Sequence, residues 1–129
     1  MIKKIIKYVD FNGAQCSEDC YFNLNKAELL DMEMSEGGRL SEIVPKIIET
    51  KDVPAMYKLF KTIVQKAYGK KSDDGKRFIK DEKMLNDFIQ SEAYSELIME
   101  LCTNDKEAAD FINNVIPKDL DKYTKKEIE

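Results

Sequence analysis

The stretch Ala67-Tyr68-Gly69-Lys70-Lys71-Ser72-Asp73-Asp74-Gly75-Lys76-Arg77-Phe78-Ile79 decides how the middle of this chain is read. On residue type, Gly69 closes an amphipathic helix and the charged turn after it pivots on Gly75. Phe78 then leads into further helix, whose aromatic residues return at helical spacing through Ser91-Glu92-Ala93-Tyr94-Ser95-Glu96-Leu97. Such a pattern positions surfaces. It holds no constellation of groups that would carry a reaction.

Working outward, the helix before Gly69 is the clearest in the chain, at about residues 53 to 68. Met56, Leu59, Phe60, Ile63, Val64 and Ala67 recur at i, i+3, i+4 and i+7, which makes one buried stripe. Asp52 caps it and Pro54 sits in its first turn. After the turn, Asp81 or Glu82 starts a helical stretch carrying Leu85, Phe88 and Ile89. Tyr94, Leu97, Ile98, Leu101 and Cys102 continue a similar period beyond a break near Ser91. Asn104 or Asp105 caps a last helix with Ala108, Phe111, Ile112, Val115 and Ile116, which Pro117 stops.

Towards the amino terminus the period changes. Residues 2 to 11 are rich in Ile, Val, Tyr and Phe. Asn12-Gly13 then offers the two positive-φ positions of a tight hairpin turn, and Gln15 to Leu24 returns as a second strand. A two-stranded ribbon is not stable alone and must pack on helices. Asn25-Lys26-Ala27-Glu28 forms a capping box ahead of a short helix with Leu29, Leu30, Met32 and Met34, ended by Gly37-Gly38. Ser41-Glu42-Ile43-Val44 opens the next helix, with Pro45 near its start. The expected fold is therefore α+β and mostly helical, an N-terminal β-hairpin packed on a compact bundle of about five to six helices. The expected organisation is one globular domain over 1–117, with the hairpin at 1–24 and helices at 25–117. A charged, frayed tail is expected at 118–129.

Composition narrows the chemistry. The 129 residues suffice for a continuous core without metal or disulfide staples. There is no histidine, which removes His-ligated zinc, Ser–His and Cys–His nucleophile pairs, and imidazole acid–base catalysis. No apolar stretch approaches the roughly 20 residues a membrane helix needs. Lys7, Asp10 and Asn12 interrupt the apolar start before it reaches signal-peptide length, so a cytoplasmic location is expected. The net charge of −4 is uneven: six basic residues stand against nine acidic in 1–50, nine against three in 51–80, and six against thirteen in 81–129. The basic middle is expected to lie against the acidic carboxy-terminal helices.

Several local patterns resemble sites and fail on detail. Cys16 and Cys20 are metal-like in spacing, but only Cys102 remains as a further cysteine. On a continuous strand their Cα atoms lie roughly 13 Å apart, beyond the reach of about 7 Å for a disulfide. Gly69-Lys70-Lys71-Ser72 follows a helix, where a phosphate loop follows a strand. Aligning Gly75 with the turn glycine of a calcium loop puts Lys70 at the first ligand position. Glu92, Glu96 and Glu100 share one helix face, as a solvated face does. No catalytic residue, metal ligand or cofactor is expected. The basic stretch Lys66, Lys70, Lys71, Lys76, Arg77 and Lys80, with Tyr68 and Phe78, could touch nucleic acid, against which the acidic total argues. The methionines and amphipathic tyrosines supply adaptable apolar surface for a hydrophobic partner helix.

Read together, Cys20-Tyr21-Phe22-Asn23-Leu24-Asn25-Lys26-Ala27-Glu28-Leu29, the 67–79 run, Ala93-Tyr94-Ser95-Glu96-Leu97 and Phe111-Ile112-Asn113-Asn114-Val115-Ile116-Pro117 resemble the tail assembly chaperones of long-tailed bacteriophages and prophages. The resemblance implies a non-enzymatic protein of the bacterial cytoplasm. It would bind the long, helical, apolar tape measure protein, keep it soluble, and help tail tube protein assemble around it. It would be absent from the mature virion, and homo-oligomers are compatible with that role. The candidate contacts are Met56, Tyr57, Phe60, Tyr68, Phe78, Phe88, Tyr94 and Met99. A structural virion component, such as a tail or head completion protein, is the alternative. A nucleic-acid-binding adaptor acting through the 70–80 loop is the third.

Overall fold

A computed structural model describes residues 1–117, and the tail expected at 118–129 lies outside the described residues. The architecture is α+β and mostly helical. Strands β1 (Ile2–Val9) and β2 (Gln15–Phe22) precede three helices, α1 (Lys26–Glu36), α2 (Leu40–Thr50) and α3 (Val53–Ala67). Strands β3 (Tyr68–Lys71) and β4 (Phe78–Ile79) follow, and then α4 (Glu82–Ile89), α5 (Glu92–Thr103) and α6 (Asp105–Val115).

The amino-terminal ribbon is the start of a larger sheet. The four strands form one antiparallel sheet in the order β1-β2-β3-β4, where a two-stranded ribbon was expected. Gly69 does not close the preceding helix: it pairs with Tyr21 inside β3. A Cβ at Gly69 would lie 2.4 Å from the Ile79 carbonyl oxygen and 2.6 Å from the Phe78 ring, so only glycine lets the two strands close. The 72–77 segment is a hairpin turn rather than a helix-to-helix linker. Ser72 N–H donates to the Arg77 carbonyl (2.8 Å), Gly75 N–H donates to the Ser72 carbonyl (2.9 Å), and Gly75 takes φ 73.

The first hairpin also turns differently from the expected tight loop. Of Asn12 and Gly13, only Gly13 has a positive φ (82). Gly13 N–H donates to the Asp10 carbonyl, and Asp10 N–H donates to the Ala14 carbonyl. This is a three-residue loop with its left-handed residue last, a geometry that matches the twist of the flanking strands. The Asp10 carboxylate accepts from Asn12 N–H and Ala14 N–H, each at 2.9 Å.

The helix boundaries follow from their caps. Asn25 and Glu28 form the reciprocal capping box of α1, and Gly37 at φ 77 ends that helix. Asp52 caps α3, Asp81 caps α4 and Asn104 caps α6. Helix α2 starts one residue before the expected Ser41, because the Glu33 carboxylate of α1 accepts from Leu40 N–H at 2.7 Å. Pro45 is consequently its sixth residue, and the Ser41 carbonyl has no helical N–H to accept from.

All six α3 stripe residues are buried, as are Ala93, Leu97, Ile98 and Leu101 of α5, and Ala108, Phe111, Ile112 and Val115 of α6. Helices α5 and α6 pack on β1, α3 packs on β2 and α4 on β3. Phe22, fully buried, sits at the centre, with ring centroids 5.3 Å from Phe111, 5.7 Å from Tyr68 and 6.1 Å from Phe88. Burying such a side chain contributes about 1.5–3 kcal/mol.

Candidate partner-binding surface

The eight residues singled out from the sequence separate into three groups: core, half-buried and exposed. Met56, Phe60 and Phe88 are core residues, 2%, 0% and 3% exposed, and present no surface. Phe88 stacks on half-buried Tyr68, with centroids 4.2 Å apart and planes 2° from parallel, and meets half-buried Tyr94 edge-on at 5.6 Å. The Tyr94 hydroxyl accepts from the Gln65 amide at 3.2 Å. Phe78 is half-buried over Gly69. Tyr57 and Met99 face solvent, at 46% and 58% exposure, and stand outside the aromatic cluster. The Tyr57 ring carries the Lys61 ammonium at 5.8 Å from its centroid, a cation–π contact along one helix face.

Other exposed apolar residues lie on α1 and on the sheet. Leu29 and Met32 of α1 are buried, while Leu30 and Met34, one turn apart, are exposed. An ordinary surface helix has a single apolar stripe, and α1 carries apolar residues around too wide an arc for one. The run Leu29-Leu30-Asp31-Met32-Glu33-Met34 contains that signal. On β1, Ile5 and Val9 face outward, and Phe11 at the loop is 80% exposed. Their signal is the opposite parity from buried Ile6.

Partly buried lysines tie these elements together. The Lys4 side chain, 16% exposed, points from the inner face of β1 to Glu100 of α5 (2.8 Å) and Glu107 of α6 (3.3 Å). Burial opposes its charge, yet hydrogen bonds and the two carboxylates outweigh burial and raise its pKa above the ordinary lysine value. Lys80 donates to the carbonyls of Asn23 and Lys66 and to the Glu28 carboxylate, which joins the start of α1, the end of α3 and β4. There burial dominates and lowers the lysine pKa. The acidic carboxy-terminal helices are thus met by Lys4 of the sheet as well as by Lys51 of the basic middle, whose ammonium is 3.5 Å from Asp105.

The remaining reactive groups are not activated. Burial above all raises the pKa of the Cys16, Cys20 and Cys102 thiols, Cys20 to about 12, which keeps them protonated at neutral pH. In the 72–77 turn, the Ser72 hydroxyl donates to Asp74 (2.7 Å) and accepts from Arg77 N–H (3.0 Å), which fixes the loop. Lys76 and Arg77 on this turn and Lys70 and Lys71 of β3 beside it are exposed and form no ion pair among the described residues. No helix among the described residues is long and apolar enough to cross a membrane.

A family model described as phage tail assembly chaperone matches residues 1–129. No curated protein and no solved structure matches.

Proposed function

The chain belongs to the phage tail assembly chaperone family, and from that premise we propose that it binds and solubilises the tape measure protein and promotes assembly of the tail tube, without catalysing a reaction. The observation that carries this reading is the placement of adaptable apolar side chains on helices whose other sides build the core. They are Leu30 and Met34 on α1, Tyr57 on α3 and Met99 on α5. Methionine repacks against varied partners at little cost, and tyrosine offers an apolar ring with a polar tip, which suits a long partner with many similar helical faces. The protein acts in the bacterial cytoplasm and leaves before the virion matures.

Co-expression with the tape measure protein tests this. A soluble complex holding several copies of this chain per partner, by size-exclusion chromatography with light scattering, is the expected result. A tape measure protein that stays insoluble and never co-purifies overturns the reading. Mass spectrometry of purified particles tests the departure, since stoichiometric incorporation belongs to a structural component.

A further inference from the structure

Strand β1 is eight residues long and, among the described residues, an edge of the sheet paired with β2 alone. Asp10 N–H donates to the Ala14 carbonyl, so Asp10 and Ala14 form a hydrogen-bonded pair. By the alternation of antiparallel ladders, the even residues Tyr8, Ile6, Lys4 and Ile2 direct their backbone groups to β2. The odd residues Lys3, Ile5, Lys7 and Val9 therefore direct theirs away from the sheet. No other backbone or side-chain hydrogen bond among the described residues engages those four backbones. Ile5 (59% exposed) and Val9 (53%) also turn their side chains to the open face.

We propose that this edge pairs antiparallel with β1 of a second copy of the chain, about a two-fold axis at Ile6, so that the two sheets become one. Charge and register select this occupant. Side chains must stay on matching faces, so only alternate registers are possible. Centring the axis on Ile5 sets Lys3 against Lys7, and centring it on Lys4 or Lys7 sets each against its own copy. Like charges directly opposite are destabilising. Centring on Ile6 removes every opposed lysine pair: Ile5 meets Lys7, Lys3 meets Val9 and Lys4 meets Tyr8. In that register the odd residues are the hydrogen-bonded ones, and they supply about eight inter-copy backbone bonds. The exposed Ile5 and Val9 of both copies become diagonal neighbours, with lysine stems covering them. Exposed Phe11 of one copy comes to the end of the ribbon where exposed Met1 of the other lies. The inference is independent of tape measure binding.

Sedimentation velocity of the full chain over a range of concentrations tests it. A reversible dimer is expected. Ile5→Lys, a change at an exposed side chain, places four lysines in opposition and should raise the dimer dissociation constant about tenfold, with the circular dichroism spectrum unchanged. Register is read by oxidising mixtures in a Cys16→Ser/Cys102→Ser background. Ile5→Cys mixed with Lys7→Cys should give a covalent heterodimer, and Lys3→Cys mixed with Lys7→Cys should not. A chain that stays monomeric at all concentrations overturns the proposal. So does a dimer that is indifferent to Ile5→Lys or cross-links through another pair. Tape measure co-purification by a chain that stays monomeric would refute the edge pairing and leave the chaperone reading standing.

Discussion

Lys4→Met isolates the charge that ties β1 to α5 and α6. Methionine keeps nearly the volume and the apolar stem, so the change removes two charge-assisted hydrogen bonds, at 2.8 and 3.3 Å, with little loss of packing. Bonds to charged groups contribute about 1.5–3 kcal/mol when well buried. Here the Glu100 and Glu107 side chains are 41% and 39% exposed, so water compensates part of their loss, and the lysine's own burial cost is recovered. We expect a net loss of about 1.5 kcal/mol at pH 7 and low salt. With an unfolding entropy of about 2.1 cal/mol/K per residue, that is a fall in Tm of about 5 °C. Thermal unfolding followed by circular dichroism reads it. The difference should shrink in 1 M NaCl, where screening acts within about 3 Å. The sign with pH follows from a raised folded pKa: the contribution is full below the unfolded value of 10.5 and is lost as pH rises through the higher folded value. In a Glu100→Gln/Glu107→Gln background, Lys4→Met should cost much less. Equal costs in both backgrounds, or a Lys4→Met chain as stable as the parent at low salt, would refute the reasoning.

Gly69→Ala should destabilise by about 1–3 kcal/mol, because its Cβ would overlap the Ile79 carbonyl and the Phe78 ring; loss of amide-exchange protection confined to β3 and β4 is the signature. Phe22→Ala should cost about 3–5 kcal/mol in chemical denaturation, since it empties the point where Tyr68, Phe88 and Phe111 meet. Asp10→Asn should flatten the acid end of the stability profile: backbone hydrogen bonds, from Ala14 above all, lower the Asp10 pKa. Its contribution is thus full above 3.8 and lost as pH falls through the lower folded value, as pH titration of Tm would show. Tyr57→Asp combined with Met99→Asp should leave Tm within about 2 °C, both sites being exposed, and should reduce the amount of tape measure protein kept soluble on co-expression.

The helices were legible because their signals are local. The caps at Asn25, Asp52, Asp81 and Asn104 and the stripe from Met56 to Ala67 lie within a few residues of the backbone they organise. Strands β3 and β4 were not, since four and two residues are too short for alternation to declare itself, and Gly69 read as a stop. Its glycine requirement comes from Phe78 and Ile79 across the hairpin, a relation no short window contains. The same limit governed the surface. Residue type marks Met and Tyr as adaptable and the stripe already turns Met56 inward, whereas the exposure of Tyr57 and Met99 is read only from the packing. Lys4 reads as a solvated strand residue until Glu100 and Glu107 are seen to reach it from the far end of the sequence.

That reach sets an order of events on the ribosome. The first hairpin can close as soon as Phe22 has emerged, but its inner face is finished by residues 96 and 103 positions beyond Lys4, and Leu24 N–H waits for the Val115 carbonyl. At about 5–20 residues per second, roughly 5–20 s separate these moments. For that interval Ile6, Cys20 and Phe22 have no α5 or α6 to cover them. The chain is most open to proteases and to misplaced pairing while it is being made, and a premature stop before α6 removes both the Glu107 partner of Lys4 and the Val115 carbonyl that accepts from Leu24 N–H.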